Sequence, residues 1–404
     1  MTASPAPSQD KKAKIDEIKL DPNKELQELN NQLALSRRIG FFLGAGVSAS
    51  LGIPDITVLS KSVGEGLSEA SQKNYGAINT SLKTHIKERQ PTVEDALNHL
   101  RLIRLLTQEL ATKEFEGITG QKAKDLDKEI CEKICEIITK KEEKIDLKPI
   151  QKFLAWFNWL NRDFSKEIFT TNYDMILEKS FEYLQIPYFD GFVGGNEAFF
   201  YPEGIDDKQN DGQVPRSWIR LWKLHGSFGW FWKKQSATNG FKVVRLGMKS
   251  KPSDDNTGEL VIYPSREKYE ASRKQPFITY FDRLANYLQD GEGLFIISGY
   301  SFMDQHINQI LFNSLKQNNR LHINAFLFND DPIKILCEFA NSHVNFNAYS
   351  PSYGIIGGKC GKWDDEKKEG RSLLELGNYL KLVDFLVESS GKKTKIDEEI
   401  EKMK

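Results

Sequence analysis

Short apolar runs recur along the chain at the length of buried β-strands. The first, Ile39–Leu43, is followed at once by Gly44, and its length and flanking glycine favour a strand over a helix. Later strand-like runs cover residues 167–171, 220–224, 260–263, 294–298 and 323–328. Helical segments lie between most of them, for example at 174–184 and 304–315. This alternation predicts an α/β fold, a Rossmann-like parallel sheet with helices on both of its faces.

The stretch between the first and second strands has a different pattern. Residues from about 60 to 166 are charged and poor in proline, and apolar positions such as Leu97, Leu100 and Ile103 recur at helical spacing. They predict an inserted helical module. Residues 1–23 are rich in Ser, Pro, Lys and Asp and predict a disordered tail. A folded domain is therefore expected over 24–404, beginning with a short amphipathic helix.

Composition and charge narrow the class of protein. Of the 404 residues, 39% are hydrophobic and 11% aromatic, which is typical of a folded globular chain. The formal net charge of -1 argues against bulk attraction to nucleic acid and leaves a local basic patch open. Four cysteines without a secreted-scaffold rhythm, and no apolar stretch that could cross a membrane, predict a reducing, cytoplasmic location.

The first candidate motif follows the first strand directly. Gly44, Ala45, Gly46 and Ser48 are succeeded by Gly-Ile-Pro-Asp, which ends at Asp55. Glycines at a strand-to-helix turn let backbone N–H groups approach a pyrophosphate. A Gly-x-Gly pair on its own is weak evidence, because it is also typical of a tight turn without a ligand.

Polar residues also follow the second and third strands. Thr171, Asn172 and Asp174 come at the end of the second, where carboxyl ends of parallel strands form a ligand crevice. His225 follows the third, and its ordinary pKa suits proton transfer near neutrality. Alternatively, Asn172 and Asp174 cap the next helix and His225 is structural.

Two later strands end in similar residues. Gly299 and Ser301 follow the strand at 294–298, and Asn329 follows the strand at 323–328. Each segment alone is typical of a loop and helix cap. Four tryptophans near His225 allow an aromatic wall, a stacking surface for single-stranded nucleic acid, or plain core packing; they are Trp218, Trp222, Trp230 and Trp232.

Taken in order, these motifs resemble the sirtuin superfamily. Gly-Ala-Gly-x-Ser with Gly-Ile-Pro-Asp comes first, then Thr-Thr-Asn-Tyr-Asp, Leu-His-Gly and a late Gly-x-Ser. The Thr-Thr-Asn-Tyr-Asp form is similar to the bacterial sirtuin-like branch found in antiphage defence. The resemblance covers roughly 36–60 and 165–345, and it leaves the helical module and both termini unexplained.

The resemblance implies NAD as the substrate and a role for each matching residue. Asn172 and Asp174 would lie near the nicotinamide ribose, and His225 would be the catalytic histidine. Asp55 matches a buried aspartate of the family. The remaining matches would hold the phosphates, nearby ribose and adenosine half; they are Gly44, Ala45, Gly46, Ser48, Thr171, Gly299, Ser301 and Asn329.

Two departures favour NAD hydrolysis over protein deacetylation. The chain lacks the paired Cys-x-x-Cys motifs of the deacetylases' zinc ribbon, so no metal is expected. Asp55 is followed by Ile56 and Thr57, where the deacetylase pattern has Phe and Arg. The expected enzyme is an NAD hydrolase that yields ADP-ribose and nicotinamide and depletes NAD in phage defence.

The branch also implies control by assembly. We expect a homo-oligomer, with the helical module as its assembly surface, and a partner such as a HerA-type ATPase. The alternatives are a module that senses NAD or ADP-ribose without turnover, a nuclease or nucleic-acid-binding subunit, and a deacetylase.

Overall fold

The computed structural model describes residues 18–86, 89–162, 164–205, 214–234, 241–246, 257–262, 275–341, 343–367 and 371–403. Its strands are β1 (Lys19–Leu20), β2 (Ile39–Leu43), β3 (Glu114–Phe115), β4 (Ile118–Thr119), β5 (Glu167–Thr170), β6 (Tyr188–Phe189), β7 (Phe192–Val193), β8 (Ala198–Phe200), β9 (Ile219–Lys223), β10 (Gly226–Lys234), β11 (Phe241–Arg245), β12 (Thr257–Ile262), β13 (Gly293–Ser298), β14 (Leu321–Phe326), β15 (Phe346–Tyr349), β16 (Tyr353–Ile356) and β17 (Lys359–Trp363).

Its helices are α1 (Pro22–Leu35), α2 (Ala45–Ser50), α3 (Ile56–Gly66), α4 (Glu69–His85), α5 (Val93–Thr107), α6 (Gly120–Glu142), α7 (Lys148–Trp159), α8 (Ile176–Tyr183), α9 (Phe277–Gln289), α10 (Gln305–Gln317), α11 (Asp331–Ala340), α12 (Arg371–Glu375), α13 (Tyr379–Ser389) and α14 (Lys393–Lys402). Short 3-10 turns lie at Pro202–Gly204 and Asp365–Lys367.

The large sheet has the strand order β1-β17-β16-β15-β14-β13-β2-β5-β9-β6. Every pair from β6 across to β15 is parallel. The central order β9-β5-β2-β13-β14-β15 is that of a doubly wound Rossmann sheet, in which the order of strand addition reverses between β2 and β13. The predicted fold class is confirmed. Ligands of such sheets bind at this switch point, beyond the carboxyl ends of the strands.

Successive residues of the central strands belong to two separate hydrophobic cores. Phe41 belongs to the core on one face of the sheet and Phe42 to the core on the other. Phe41 packs edge-on against Phe153 and Phe157 of α7, with ring centroids 4.8 and 5.2 Å apart. Phe42 lies 4.9 Å from the ring of Tyr300. Because side chains alternate across a strand, an uninterrupted apolar run buries both faces.

The helical layer predicted between the first two strands of the parallel sheet is present. Helices α3 to α7 occupy it, and their buried positions join the same core as Phe41. The layer also contains the β3–β4 hairpin, which the helical spacing did not predict.

A smaller antiparallel sheet, in the order β12-β10-β11-β8-β7, was missed from the sequence. The run predicted at 260–263 is part of β12, and it pairs with β10 in this sheet rather than in the parallel one. Residue 263 lies outside the described residues. Apolar content marks a strand but carries no information about which sheet it joins.

Two further expectations need correction. Lys19 and Leu20, assigned to the tail, pair with β17 at the sheet edge, and α1 begins at Pro22; residues 1–17 lie outside the described part. Cys337 of α11 and Cys360 of β17 form a disulfide, whereas Cys131 and Cys135 are free. The sequence argument for reduced cysteines therefore holds only for the second pair.

Candidate active site

Glycines form the contact between the loops that follow β2 and β13. The Gly44 N–H donates to Ser298 O at 2.9 Å, and the Gly46 N–H donates to Gly299 O at 2.8 Å. A Cβ on Gly44 would lie 2.4 Å from Gly299 O, and Gly299 itself has a φ of +68°. Only glycine tolerates this approach and this conformation. Ala45 and Gly46 remain exposed at the carboxyl edge of the sheet.

Three side chains are hydrogen-bonded in series across the ends of β2 and β5. Asn172 Nδ2 donates to Ser48 Oγ at 2.8 Å and to the Gly44 carbonyl at 3.1 Å. The Ser48 hydroxyl donates in turn to Asp174 Oδ2 at 2.6 Å. Because the amide nitrogen faces two acceptors, the orientation of the Asn172 amide is determined. Its Oδ1 is buried and has no hydrogen-bond partner among the described residues, so it can accept from a ligand or water.

The loop after β5 is anchored on both sides. Thr170 Oγ1 donates to the Leu43 carbonyl at 2.7 Å and accepts the Asn172 N–H at 3.0 Å. Farther along, the Met175 N–H donates to Oε1 of Glu142 at 2.9 Å, and Glu142 is the last residue of α6. The helical layer therefore contacts the backbone next to Asp174.

A buried lysine supports the same loop from below. Lys223, at the end of β9, donates from Nζ to the Asp174 carbonyl, to Glu178 Oε1 at 2.6 Å and to Ser227 Oγ at 3.1 Å. Lys223 and Glu178 are both buried. Burial raises the pKa of Glu178, while the ammonium of Lys223 opposes that rise.

His225 occupies the short link between parallel β9 and antiparallel β10. Gly226, with a φ of +94°, provides the turn between them. The imidazole is buried, and its Nε2 lies 3.3 Å from Oδ2 of Asp304. Asp304 caps the N-terminus of α10, where its Oδ1 accepts the N–H groups of His306 and Ile307 at 3.0 and 3.4 Å.

Tyr173 joins the histidine to the helical layer. Its ring centroid lies 6.5 Å from that of His225, and its hydroxyl donates to Glu94 Oε1 at 3.4 Å. Burial raises the pKa of Tyr173 well above its usual range, and the Glu94 and Asp304 carboxylates add to the rise. Tyr173 is therefore a neutral hydrogen-bonding group at any ordinary pH.

Four other predicted residues are exposed or half-buried. Asp55 is exposed, which corrects the match to a buried aspartate, and it caps α3 by accepting two backbone N–H groups at 2.8 and 2.9 Å. Ser301 and Asn329 are exposed, and Thr171 is half-buried. Asn329 Oδ1 accepts the N–H of Asp331 at 3.3 Å. Their roles toward NAD stay predictions.

The tryptophans near His225 in sequence do not form a common wall. Trp222 is fully buried and donates from Nε1 to Glu167 Oε2 at 2.7 Å. Trp230 packs among core aromatic rings. Trp218 is 36% exposed, and the side chain of Trp232 lies outside the described part. Core packing accounts for Trp222 and Trp230.

Sequence reasoning missed three residues that complete the site. The sequence pattern predicted Thr171 rather than its neighbour Thr170 as a site residue. Side chains of adjacent strand residues point to opposite faces of the sheet, so only one of the two can contact Leu43, and that one is Thr170. Lys223 gave no signal, because its partner Glu178 is distant in sequence. Asp304 could have been predicted from the sequence. It is an aspartate at a helix-capping position after a strand at the switch point, and residues at such positions lie beside the ligand crevice.

A cavity of about 580 Å³ lies in the helical layer between α3, α4 and residues 90–92, and no predicted site residue lines it. Within the described ranges, no group of three or more His, Cys, Asp or Glu side chains could hold a metal ion. Among those same residues, no helix is long and apolar enough to cross a membrane.

The chain is similar to a known protein family over part of its length. Residues 166–346 match the family model described as a SIR2-like domain, which spans less than half of the chain. The match includes Asn172, Asp174, His225 and Asp304 and begins after the glycine loop. No curated protein sequence matches the chain.

Solved structures with a similar course of the chain include two Sir2 homologues. One is a mutant in complex with ADP-ribose, at 14% identity and a TM-score of 0.40, covering 90% of this chain and 98% of the other. The second is a complex with NAD, at 13% identity and a TM-score of 0.40, covering 89% and 93%. The chain is therefore similar to a SIR2-like domain over the part that contains Asn172, Asp174 and His225.

Proposed function

We propose that this protein is an NAD hydrolase of the sirtuin superfamily, which cleaves the nicotinamide–ribose bond to give ADP-ribose and nicotinamide. The main support is the fixed orientation of the Asn172 amide beside the switch point of a Rossmann sheet. Ser48 and the Gly44 carbonyl hold its nitrogen, and its oxygen has no partner among the described residues. A buried polar atom without a partner is costly unless a ligand completes it.

The chemistry follows from where charge develops. Departure of neutral nicotinamide leaves oxocarbenium character on the ribose carbon, which a nearby amide oxygen or carboxylate stabilises. In our proposal, Asn172 Oδ1 orients the attacking water, and the Asp174 carboxylate fixes Asn172 through Ser48. As the water oxygen bonds to the ribose carbon, its proton passes to His225. Positioned proton transfer of this kind contributes roughly 10²–10⁴-fold to the rate.

The nearest alternative is a module that binds NAD or ADP-ribose without turnover. It would need the same crevice but would not need a titratable group there. The presence of both Asn172 and a buried His225 favours turnover. Deacetylation is disfavoured because the sequence lacks the paired Cys-x-x-Cys motifs.

The test is incubation of the purified protein with NAD, followed by chromatography of nicotinamide and ADP-ribose. His225→Ala and Asn172→Ala should each lower the rate at least about a hundredfold. His322→Ala serves as a matched control, because His322 lies exposed on β14 outside the site. Turnover that persists in both site variants would contradict the proposal. NAD binding by calorimetry without turnover would establish the binding module instead.

We further propose that the activity serves phage defence and is controlled by assembly, as a homo-oligomer and with a HerA-type ATPase. Uncontrolled NAD hydrolysis would harm the host, so regulation is required. Light scattering of the pure protein tests the oligomer, and co-purification with an ATPase encoded beside it tests the partner. Phage challenge of cells expressing wild type or His225→Ala should show NAD loss and protection with the wild type alone.

A further inference from the structure

We infer that Asp304 is a positioning residue for His225, holding the imidazole in one tautomer so that the opposite ring nitrogen accepts the proton during catalysis. The inference rests on the proposed function for its catalytic meaning, although the pairing itself can be measured without substrate. It adds to the proposed site a carboxylate that comes from the other half of the sheet, beyond β13.

The two carboxylate oxygens of Asp304 contact different groups. Oδ1 accepts two backbone N–H groups in the first turn of α10, which fixes the position and rotation of the carboxylate. Oδ2 lies 3.3 Å from Nε2 of His225. The helix cap thus holds the second oxygen against the imidazole at no further conformational cost to the side chain.

Burial makes this contact strong. The His225 side chain is 7% exposed and the Asp304 side chain 10% exposed. Charges interact more strongly where water is excluded, whereas exposed pairs contribute little. The pair His99 and Glu116 in the helical layer is a useful contrast, because its nitrogen and oxygen are 2.9 Å apart but the carboxylate is 36% exposed.

The contact selects one tautomer of the neutral ring. Nε2 and Oδ2 are within ion-pair distance but are not aligned as a hydrogen bond. A proton on Nε2 is still attracted to the Asp304 carboxylate, whereas a lone pair there would face negative charge. With Nε2 protonated, Nδ1 is the acceptor nitrogen. When Nδ1 takes a proton, the carboxylate stabilises the resulting imidazolium. This is the role that a buried aspartate has toward the histidine of hydrolase triads.

Other groups near the pair do not replace this carboxylate. Tyr173 is neutral at ordinary pH and lies beside the ring; Glu94 and Arg101 of α5 act on Tyr173. Lys223 and Glu178 form their own buried pair beneath the loop after β5.

Asp304→Asn is the decisive variant. An asparagine amide oxygen still caps α10, so the helix is retained while the negative charge is removed. Asp21→Asn makes the same change at the cap of α1, where Asp21 also accepts two backbone N–H groups. Equal thermal melting of both variants would confirm that any difference in function is not a folding effect.

The first readout is nitrogen NMR of ¹⁵N-histidine-labelled protein without substrate, with the His225 signal assigned by its loss in His225→Gln. We expect the Nε2–H tautomer in the wild type. We also expect the pKa of His225 to fall by at least about 0.5 unit in Asp304→Asn, because a nearby carboxylate favours the charged ring. Asp21→Asn should leave both unchanged. An unchanged tautomer and pKa in Asp304→Asn would overturn the inference.

The second readout is the pH dependence of NAD hydrolysis. Asp304→Asn should lower kcat roughly a hundredfold with little change in KM. A base acts in its neutral form, so the acid limb of the profile should move to lower pH with the pKa of His225. Equal kcat and an unmoved limb would overturn the catalytic role. A wild type that shows the pairing by NMR but hydrolyses no NAD would refute the proposed function and leave the pairing intact.

Discussion

Two stretches of the chain look alike in sequence and differ in the folded protein. Asn172 and Asp174 follow the buried strand β5, whereas Asn329 and Asp331 follow the buried strand β14. The first asparagine bonds to Ser48 and Gly44, which are more than a hundred residues away in sequence. The second is exposed and accepts the N–H of Asp331, two residues farther along the chain. Distant partners and burial, rather than residue type, distinguish the first stretch from a local turn.

The largest effect is expected from the support beneath the first stretch. Lys223→Met should destabilise the protein by about 3–5 kcal/mol, because it leaves Glu178 buried without its ammonium partner. Urea unfolding measures the loss. The double variant Lys223→Met with Glu178→Leu should recover part of it, because no unpaired charge remains. A loss below about 1 kcal/mol for the single variant would show that this support is dispensable.

The same substitution in both asparagines tests the comparison directly. Asn172→Asp places a carboxylate oxygen against the Gly44 carbonyl and removes the donor to Ser48, so we expect a loss of about 1–3 kcal/mol. Asn329→Asp is exposed and should change the unfolding free energy by less than about 0.5 kcal/mol. Thermal melting of the two variants under the same conditions measures whether Asn172→Asp lowers stability more than Asn329→Asp. Equal shifts would mean that the two stretches are energetically equivalent.

The smallest effect is expected from a comparison of two serines, because the hydroxyl of each donates to a carboxylate at 2.6 Å. Ser48 bonds to Asp174 and Ser350 bonds to Asp330. Replacing either with alanine should cost about 1 kcal/mol of stability. Only Ser48→Ala should also reduce NAD turnover, by roughly tenfold, because it releases the Asn172 amide. Loss of turnover in Ser350→Ala would contradict this division between site and support.

The sequence was sufficient to predict the parallel sheet and to show the order of its motifs. Apolar runs buried on both faces, such as Ile39–Leu43, have no competing interpretation once glycine ends them. It was insufficient where partners are distant in sequence. Asp55 and Asp304 both cap helices, yet of these two only Asp304 lies against a buried imidazole. Sheet membership of β12 and the Cys337 pairing likewise depend on three-dimensional proximity.

The anchors between the helical layer and the loop after β5 have a practical consequence for anyone shortening this chain. Met175 is held by Glu142, and Tyr173 is held by Glu94, so the two residues that flank Asp174 both depend on α5 and α6. A minimal version that removed α3 to α6 and kept α2 and α7 as the crossover between the parallel strands β2 and β5 would preserve the strand order. It would also free the loop that carries Asn172, so the compact core would be a scaffold without a formed site.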